Sequence, residues 1–262
     1  MRRWMQLVGL RHAGPAEFDF GWPVTWTVGP LAASVVALAL AIALQWHDTN
    51  EWPLALVLCA VSISFFTGHL IALAAGDVDH AVLPMVGLLS TEADRVLDAG
   101  CGSGRTTIAL ARVARRGQVV AVDRFDASYI DGGGESLLRR NLALAKLQDR
   151  VEIRKADLLR LPFADESFDS AASAHVFDHL GAAKLDALKE MKRVLKPGGR
   201  FLLVVWIPSW TMFAVCNLAC FAFLARPGWR ALATEAGLAH VEEGRFNGMW
   251  YLLLEKAPCL NA

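Results

Sequence analysis

The sequence predicts an α/β domain with a mainly parallel sheet, preceded by a transmembrane helical hairpin. Two long stretches, 20–46 and 52–76, contain no Asp, Glu, Lys or Arg. From about residue 93 the chain instead alternates short apolar runs with amphipathic ones. Alternating βα units form parallel sheets with right-handed crossovers. We therefore expect a membrane hairpin followed by an α/β domain.

Each uncharged stretch exceeds the roughly 20 helical residues that cross a hydrocarbon core of ~30 Å. The connector 47–51 is short and polar, as a helical hairpin requires. A cleaved signal peptide fits poorly, because two stretches follow each other and the first begins late. The alternative is an apolar hairpin buried in a soluble dimer. Tryptophans, which are enriched at membrane interfaces, mark the ends of the stretches: Trp22, Trp26, Trp46 and Trp52.

The positions of the arginines predict the orientation of this hairpin. Arg2, Arg3 and Arg11 precede the first stretch, whereas the connector has no Lys or Arg. The positive-inside rule then places the N-terminus in the cytoplasm, and two crossings return the α/β domain to that side. The expectation is a multi-pass protein of the cell membrane. His69 lies near the exit of the second stretch, which predicts an interfacial side chain and not a proton relay.

Composition limits the partners and the redox chemistry. The 26 Lys and Arg balance 26 Asp and Glu, so there is no global basic field for nucleic acid. The five cysteines form no C-x-x-C pair, which favours reduced, packed thiols. Cys216 and Cys220 lie four residues apart in an apolar run, and a redox or metal role is the alternative there.

The α/β part is predicted element by element. A linker at 77–92 contains a short helix at 82–89. The helix at 182–194 ends at a KPGG turn, 196–199. Since ligands bind at the carboxyl ends of parallel strands, the residues that follow each strand are the candidate site. The predicted strands are 95–98, 118–123, 151–155, 170–174 and 201–207, and the predicted helices are 106–114, 135–146 and 182–194.

The turn LDAGCGSGRT, residues 97–106, separates the first strand from a helix. A Walker phosphate loop requires a lysine after the last glycine, and Arg105 follows Gly104. A dinucleotide fingerprint requires G-x-G-x-x-G, and Gly104 comes one residue early. S-adenosylmethionine fits the turn, because glycines allow close backbone approach. Asp98 can then face the cofactor's ammonium group, and Asp123, which ends the next strand, can accept from both ribose hydroxyls. On these residues alone NAD stays open.

Four stretches in order resemble the class I S-adenosylmethionine-dependent methyltransferase family: VLDAGCGSGRTT, VVAVD, RVEIRKADLLRLPFADESFDSAASAHVF and EMKRVLKPGGRFLLVV. The resemblance covers residues 93–257, where the tail 228–256 looks like the family's last helix and closing strand pair. It implies a Rossmann-like, mainly parallel seven-stranded sheet with helices on both faces. It also implies S-adenosyl-L-methionine as the cofactor. The expected domains are 1–19, cytoplasmic; 20–76, hairpin; 77–92, linker helix; and 93–262, methyltransferase.

Carried over position by position, the resemblance implies a cofactor site along four strand ends. Asp123 holds the ribose, and Arg124 or Phe125 borders the adenine. The adenine amine and ring contact Asp157 and Leu158, and the methionine end is lined by Ala174 and His175. A nucleophilic role of the turn's cysteine is not expected. The wall of the glycine turn is formed by Asp98, Gly100, Cys101, Gly102 and Gly104.

The stretch SAHVFDHLG follows the fourth strand, where the methyl group should emerge. His175 or His179 can assist deprotonation of the acceptor, and Asp178 can orient His179. The alternative is that these side chains only line the pocket or cap a helix. His175 and His179 also have metal-ligand spacing, but without a Glu or a third ligand. No metal is expected.

One insertion departs from the family pattern. After Asp123 the chain continues through DASYIDGGGES, residues 126–136. Residues 131–134 are predicted to be a flap over the cofactor or a plain connecting turn, and Tyr129 could close over the site.

The acceptor is expected to be small and lipophilic, such as a lipid, quinone or isoprenoid. Residues 209–224 form a predicted apolar helix that is too short to span. It lies in the membrane interface or roofs the active site, or it is an ordinary buried helix. A small thiol or sulfide is the competing acceptor. A protein of another class, a membrane module that binds the cofactor without catalysis, is the further alternative. The sequence leaves a homo-oligomer open.

Overall fold

The computed structural model describes residues 17–76, 82–84, 86–127, 130 and 134–258. They divide into two compact units. One is helical and contains residues 22–76 and 208–223. The other is an α/β unit that contains the remaining described residues. The predicted flap residues 131–133, Tyr129 and Cys259 lie outside the described residues, as do Arg2, Arg3 and Arg11.

The elements follow the predicted alternation. In chain order they are α1 (Val24–His47), α2 (Trp52–Gly76), β1 (Arg95–Ala99), α3 (Arg105–Val113), β2 (Gln118–Asp123), α4 (Gly134–Ala145), β3 (Val151–Lys155), β4 (Phe168–Ala174), α5 (Lys184–Val194), β5 (Leu195–Val205), α6 (Trp210–Cys216), α7 (Arg226–Glu235), β6 (Leu238–Phe246) and β7 (Met249–Lys256). Short 3₁₀ turns include Thr49–Glu51 between α1 and α2, and Asn217–Ala222 after α6.

Helices α1 and α2 form an antiparallel pair with a seam of small side chains. Ser34 and Ser62 each donate from Oγ to the other's carbonyl oxygen, at 2.9 Å. His69 is buried in the same seam, with Nδ1 2.7 Å from Thr27 O, so that nitrogen donates. His69 thus faces the partner helix, and its predicted interfacial depth stays a prediction. The buried seam repeats every seven residues, as in a left-handed pair, through Thr27, Ser34 and Ala41 on α1 and Ala55, Ser62 and His69 on α2.

The outward faces of α1 and α2 are apolar and exposed. Examples are Val35, Ile42, Leu56 and Ile63, each more than half exposed. The helices contain 24 and 25 residues, which gives lengths of about 36 Å. Among the described residues these two helices are long and apolar enough to cross a membrane.

The α/β unit contains a seven-stranded sheet in the order β3-β2-β1-β4-β5-β7-β6. Strands β1 to β5 pair in parallel, whereas β7 is antiparallel to β5 and to β6. Two hydrophobic clusters pack against the sheet. The predicted Rossmann-like fold class is confirmed. The strand order reverses between β1 and β4, and in such sheets this switch point is where ligands bind.

Two local predictions were wrong. Residues 82–84 and 86–89 form no helix, because Pro84 lacks an amide hydrogen and Gly87 has φ +53°. Leu83 and Leu88 are still buried in the core. The KPGG turn lies inside the bounds of β5, because Leu195 pairs with Phe168 before the chain bulges and Arg200 resumes pairing at Ser170.

The predicted helix at 209–224 is interrupted. Ser209 caps α6 by accepting from Met212 N at 3.2 Å. The helix ends at Asn217, whose φ of +50° is incompatible with a continuing right-handed helix. Helix α5 also begins two residues later than predicted, after a 3₁₀ turn at Gly181–Ala183.

Candidate functional site

The glycine turn between β1 and α3 needs its glycines for two physical reasons. Gly100, Gly102 and Gly104 have φ of +86°, +49° and +91°, a region that costs side-chain-bearing residues free energy. A Cβ added at Gly100 would lie 2.3 Å from Val176 Cγ2. The turn therefore approaches the loop after β4 too closely for any side chain at Gly100.

Asp123 is held at the end of β2 by the backbone of this turn. Its Oδ2 accepts from Gly102 N at 2.9 Å, and its Oδ1 accepts from Phe125 N at 2.8 Å. Each carboxylate oxygen has a second lone pair left. The carboxylate is thus oriented, and it keeps acceptor capacity for the two hydroxyls of a ribose.

Asp98 is fully buried one residue before the end of β1. Thr107 Oγ1 donates to its Oδ2 at 2.5 Å, while its buried Oδ1 has no hydrogen-bond partner among the described residues. Burial, followed by the nearby charge of Asp123, raises the pKa of this carboxyl to about 7. A buried carboxylate oxygen without a partner fits an ammonium group such as that of S-adenosylmethionine.

Two of the residues assigned to the adenine side, Arg124 and Asp157, are more exposed than Asp98. Arg124 pairs with Asp126 and lies 3.8 Å from Asp157 Oδ2. Asp157 Oδ1 accepts from Leu159 N at 2.9 Å. Leu158 is buried in the core. The structure therefore brings Arg124 and Asp157 together, with the Asp157 carboxylate partly exposed beside the end of β3.

His175 directly follows β4 in a left-handed conformation, with φ +61°. Its amide donates to Val204 O at 3.0 Å, and its ring meets Trp206 edge-on at 5.2 Å. Its buried Nδ1 has no hydrogen-bond partner among the described residues. Burial, assisted by His179 and Arg105, lowers the pKa of His175 to about 4. At neutral pH the ring is uncharged, so one ring nitrogen can accept a proton.

Asp178 has a backbone partner in the structure, and its role in orienting His179 stays a prediction. Its carboxylate accepts from Trp206 N, at 3.1 Å and 3.3 Å to the two oxygens. Burial raises the pKa of Asp178 to about 7. Burial also lowers the pKa of His179, with Lys184 as a second cause. Asp178 thus fixes the backbone at Trp206, directly after β5. The Trp206 ring in turn lies against His175.

Cys101 is buried in the glycine turn. Burial, and then the charges of Asp98 and Asp123, raise the pKa of its thiol well above the ordinary value. A thiol of high pKa is a poor nucleophile, which supports a packing role. Among the described residues no group of three or more His, Cys, Asp or Glu could hold a metal ion.

Sequence reasoning missed a strap at residues 17–21 that packs on the glycine turn. Fully buried Asn141 on α4 donates to Asp19 O at 2.7 Å and to Ser103 O at 2.9 Å. Ser103 Oγ donates to Phe20 O at 2.8 Å, and the Arg105 guanidinium lies over the Phe20 ring. The available signal was a polar Asn141 among the buried leucines of one helix face.

Comparison with known proteins agrees with this geometry. Residues 97–203 match a family described as a methyltransferase domain. The ubiquinone/menaquinone biosynthesis C-methyltransferase UbiE of Azotobacter vinelandii is 36% identical over 138 residues, which cover 52% of each chain. The 2-phytyl-1,4-naphtoquinone methyltransferase of Synechococcus elongatus is 37% identical over 108 residues, 41% of this chain and 43% of its own. This chain spans between 37% and 52% of the length of the curated relatives that it matches.

Solved structures share the fold. A SAM-dependent methyltransferase from Aquifex aeolicus superimposes with a TM-score of 0.54 and 19% identity, over 65% of this chain and 86% of that one. The strand order, the glycine turn and the match over residues 97–203 agree with each other. Residues 97–203 thus match a methyltransferase domain family, and the α/β unit has the fold of S-adenosylmethionine-dependent methyltransferases.

Proposed function

We propose that this chain is a membrane-anchored enzyme that transfers the methyl group of S-adenosylmethionine to a small lipophilic acceptor of the quinone or isoprenoid class. The observation that carries the cofactor assignment is Asp98, whose buried, unpartnered oxygen lies in the same turn that orients Asp123. Two helices that could span a membrane, and relatives named as quinone methyltransferases, support the lipophilic acceptor.

Methyl transfer from S-adenosylmethionine requires little chemical activation by the protein. S-adenosylmethionine supplies an activated methyl group on a sulfonium centre, so catalysis consists mainly of in-line positioning. Asp98 holds the ammonium group of the cofactor, and Asp123 holds its ribose. Neutral His175 accepts a proton when the acceptor is a hydroxyl or an acidic ring carbon, and Trp206 fixes the ring of that histidine.

The deciding experiment is a methyl-transfer assay with radiolabelled cofactor and purified full-length protein in lipid vesicles. Demethylated quinones and isoprenoid phenols form one substrate panel, and small thiols and sulfides form the other. Labelled product extracted with the quinones supports the proposal. Turnover with thiols alone assigns an S-methyltransferase, and cofactor binding without any product assigns a non-catalytic module.

The proposed anchor has its own test. We expect the chain to stay with membranes after alkaline carbonate extraction. A cysteine placed at Thr49 should react from outside intact cells with an impermeant maleimide, because the proposed orientation puts the connector outside and the catalytic domain in the cytoplasm. Release by carbonate would contradict the anchor, and labelling of Thr49→Cys only in inverted vesicles would reverse the orientation.

Replacing Asp123 with Ala is expected to weaken binding of S-adenosylmethionine by at least about 100-fold. Hydrogen bonds to a charged group contribute roughly 1.5–3 kcal/mol each, and two ribose hydroxyls lose their acceptor. Isothermal titration calorimetry measures the change. Asp149→Ala, which removes an exposed carboxylate on the turn after α4, serves as the control. An unchanged dissociation constant in Asp123→Ala would remove Asp123 from the cofactor site.

Replacing His175 with Ala is expected to lower kcat by roughly 10- to 100-fold and to change cofactor affinity much less, because a general base acts on the acceptor. Since its pKa is about 4, activity that depends on neutral His175 should not fall between pH 8 and about pH 5.5. His179→Ala and the double variant separate the two histidines. Full turnover of the double variant over that pH range would show that neither is the base.

A further inference from the structure

Helix α6 and the 3₁₀ turn after it belong to the helical unit, although β5 precedes them in the chain. Their contact with α2 is made by backbone. A Cβ added at Gly68 would lie 2.2 Å from Ala214 O and 2.8 Å from Val215 Cα. Close approach of helices through a glycine is the packing that transmembrane helices use. The absence of a side chain at Gly68 thus leaves a notch in the surface of α2, against which the backbone of α6 packs.

The segment 208–223 contains no charged side chain. Met212 and Cys220 are its buried side chains. Its large apolar residues face outward: Trp210 is 86%, Leu218 74% and Phe221 67% exposed. These are larger exposures than those of most outward leucines on α1 and α2. The segment therefore adds exposed apolar side chains to those of the two helices in the same compact unit.

The position of Gly68 gives the depth of this contact if α2 spans the bilayer. Gly68 lies eight residues before the end of α2 at Gly76, or ~12 Å along the axis. A helix of 25 residues is ~37 Å long and exceeds a ~30 Å hydrocarbon layer by only a few ångströms at each end. Gly68 and the α6 backbone against it then lie roughly 8 Å inside the hydrocarbon.

The segment cannot cross the bilayer. Trp210–Ala222 alone is shorter than the roughly 20 residues required, and it is long and apolar enough only together with Arg226–Glu235, from which it is bent by 56°. Helix α7, which follows, buries Trp229 in the core of the α/β unit, so it does not prolong the segment through lipid. Irregular backbone at Asn217 is tolerated inside a membrane only where it packs on protein, and α2 supplies that protein.

We propose that residues 208–223 are a re-entrant element that docks on α2 at Gly68 and presents Trp210, Leu218 and Phe221 to the acyl chains of one leaflet. This inference rests on the proposed function in one respect, that α1 and α2 span a bilayer. The partner is lipid, and not a second protein surface, because the segment has no charged side chain and belongs to the same compact unit as the two apolar helices.

Photocrosslinking of the full chain tests this placement. A benzoylphenylalanine is introduced separately at Leu218 and Phe221, and the protein is reconstituted in phosphatidylethanolamine–phosphatidylglycerol vesicles with radiolabelled acyl chains. The same probe at Leu56, which is exposed on α2, reports the anchor itself. At Val241, which is exposed on β6, it serves as the control outside the helical unit. We expect lipid adducts at Leu56, Leu218 and Phe221, and none at Val241.

The outcomes separate the inference from the proposed anchor. Adducts at Leu56 without adducts at Leu218 and Phe221 would leave the anchor in place and overturn the re-entrant element. Protein–protein adducts at Leu218 and Phe221 instead of lipid adducts would assign the surface to a protein partner and overturn it too. The absence of adducts at Leu56 would remove the anchor and the inference together.

Gly68→Ala tests the notch. Its methyl group would collide with backbone that cannot move aside, so we expect lipid adducts at Leu218 and Phe221 to fall about tenfold, the ratio given by 1.4 kcal/mol of overpacking. Adducts at Leu56 and the affinity for S-adenosylmethionine should not change. Gly29→Ala is the matched control, because a Cβ at Gly29 on α1 meets no atom within 4 Å. Unchanged adducts in Gly68→Ala would overturn docking at Gly68.

Discussion

Replacing Gly100 with Ala is expected to abolish detectable binding of S-adenosylmethionine and to lower the free energy of unfolding by roughly 2–5 kcal/mol. Two costs add. The residue has φ +86°, which costs an L-residue about 1–2 kcal/mol. The new methyl group would also lie 2.3 Å from Val176 Cγ2 and 2.9 Å from Val176 Cβ, and a β-branched side chain has no alternative rotamer to escape.

The two costs can be separated with a second glycine. Gly198 has φ +75° and no atom within 4 Å of an added Cβ, so Gly198→Ala carries only the backbone cost. Urea unfolding of both variants, with calorimetric titration of the cofactor, gives the comparison. If Gly100→Ala is no less stable than Gly198→Ala and binds the cofactor normally, the close approach of the glycine turn to the loop after β4 is not required.

Much of the α/β unit follows from local sequence. QVVAVD and VEIRK form β2 and β3 within the predicted bounds, because β-branched runs between turn residues leave little choice of structure. The glycine turn was predictable for the same reason: Gly100 and Gly104 precede a helix and follow a strand. Asp123 was identified from its place at a strand end, and the structure gives it the expected oriented carboxylate.

The structural features that could not be predicted from the sequence depend on contacts between residues that are far apart in the chain. Asn141 bonds to Asp19, 122 residues away, and no local pattern encodes that pairing. Residues 208–223 belong with α1 and α2 through long-range contacts such as that of Gly68 with Ala214. The role of Asp178 depends on Trp206 N, which β5 brings to it. Residues that act through long-range contacts are therefore the ones that sequence reasoning placed incompletely.

Asp98→Asn is expected to make the folded chain more stable at pH 8 and at the same time to weaken its binding of S-adenosylmethionine. Burial raises the pKa of Asp98 from 3.8 to about 7. Between these values the unfolded chain releases the proton and the folded chain keeps it. The free energy of unfolding therefore falls as pH rises through this window, by up to about 4 kcal/mol at 1.36 kcal/mol for each pKa unit.

Binding of the cofactor offsets the free-energy cost of ionising the buried Asp98 carboxyl. Its ammonium group pairs with the ionised carboxylate, so affinity should rise as pH increases through about 7 and then level off. In Asp98→Asn no charge is left to pair, and we expect the affinity to fall most at pH 8 and its pH dependence to disappear. Denaturant unfolding and calorimetric titration between about pH 5 and pH 8.5 measure both effects.

Asp178→Asn is the matched control, because burial also raises the pKa of Asp178 to about 7. Asp178→Asn should likewise reduce the loss of stability at high pH, since a raised pKa lowers the free energy of unfolding as the group ionises. The pH dependence of cofactor affinity should stay as in the unmodified chain. His175, whose pKa burial lowers to about 4, acts in the opposite direction, since its stability contribution is lost as pH falls below about 6.5. If Asp98→Asn keeps the rise in affinity through pH 7, Asp98 does not pair with the ammonium group, and another carboxylate must do so.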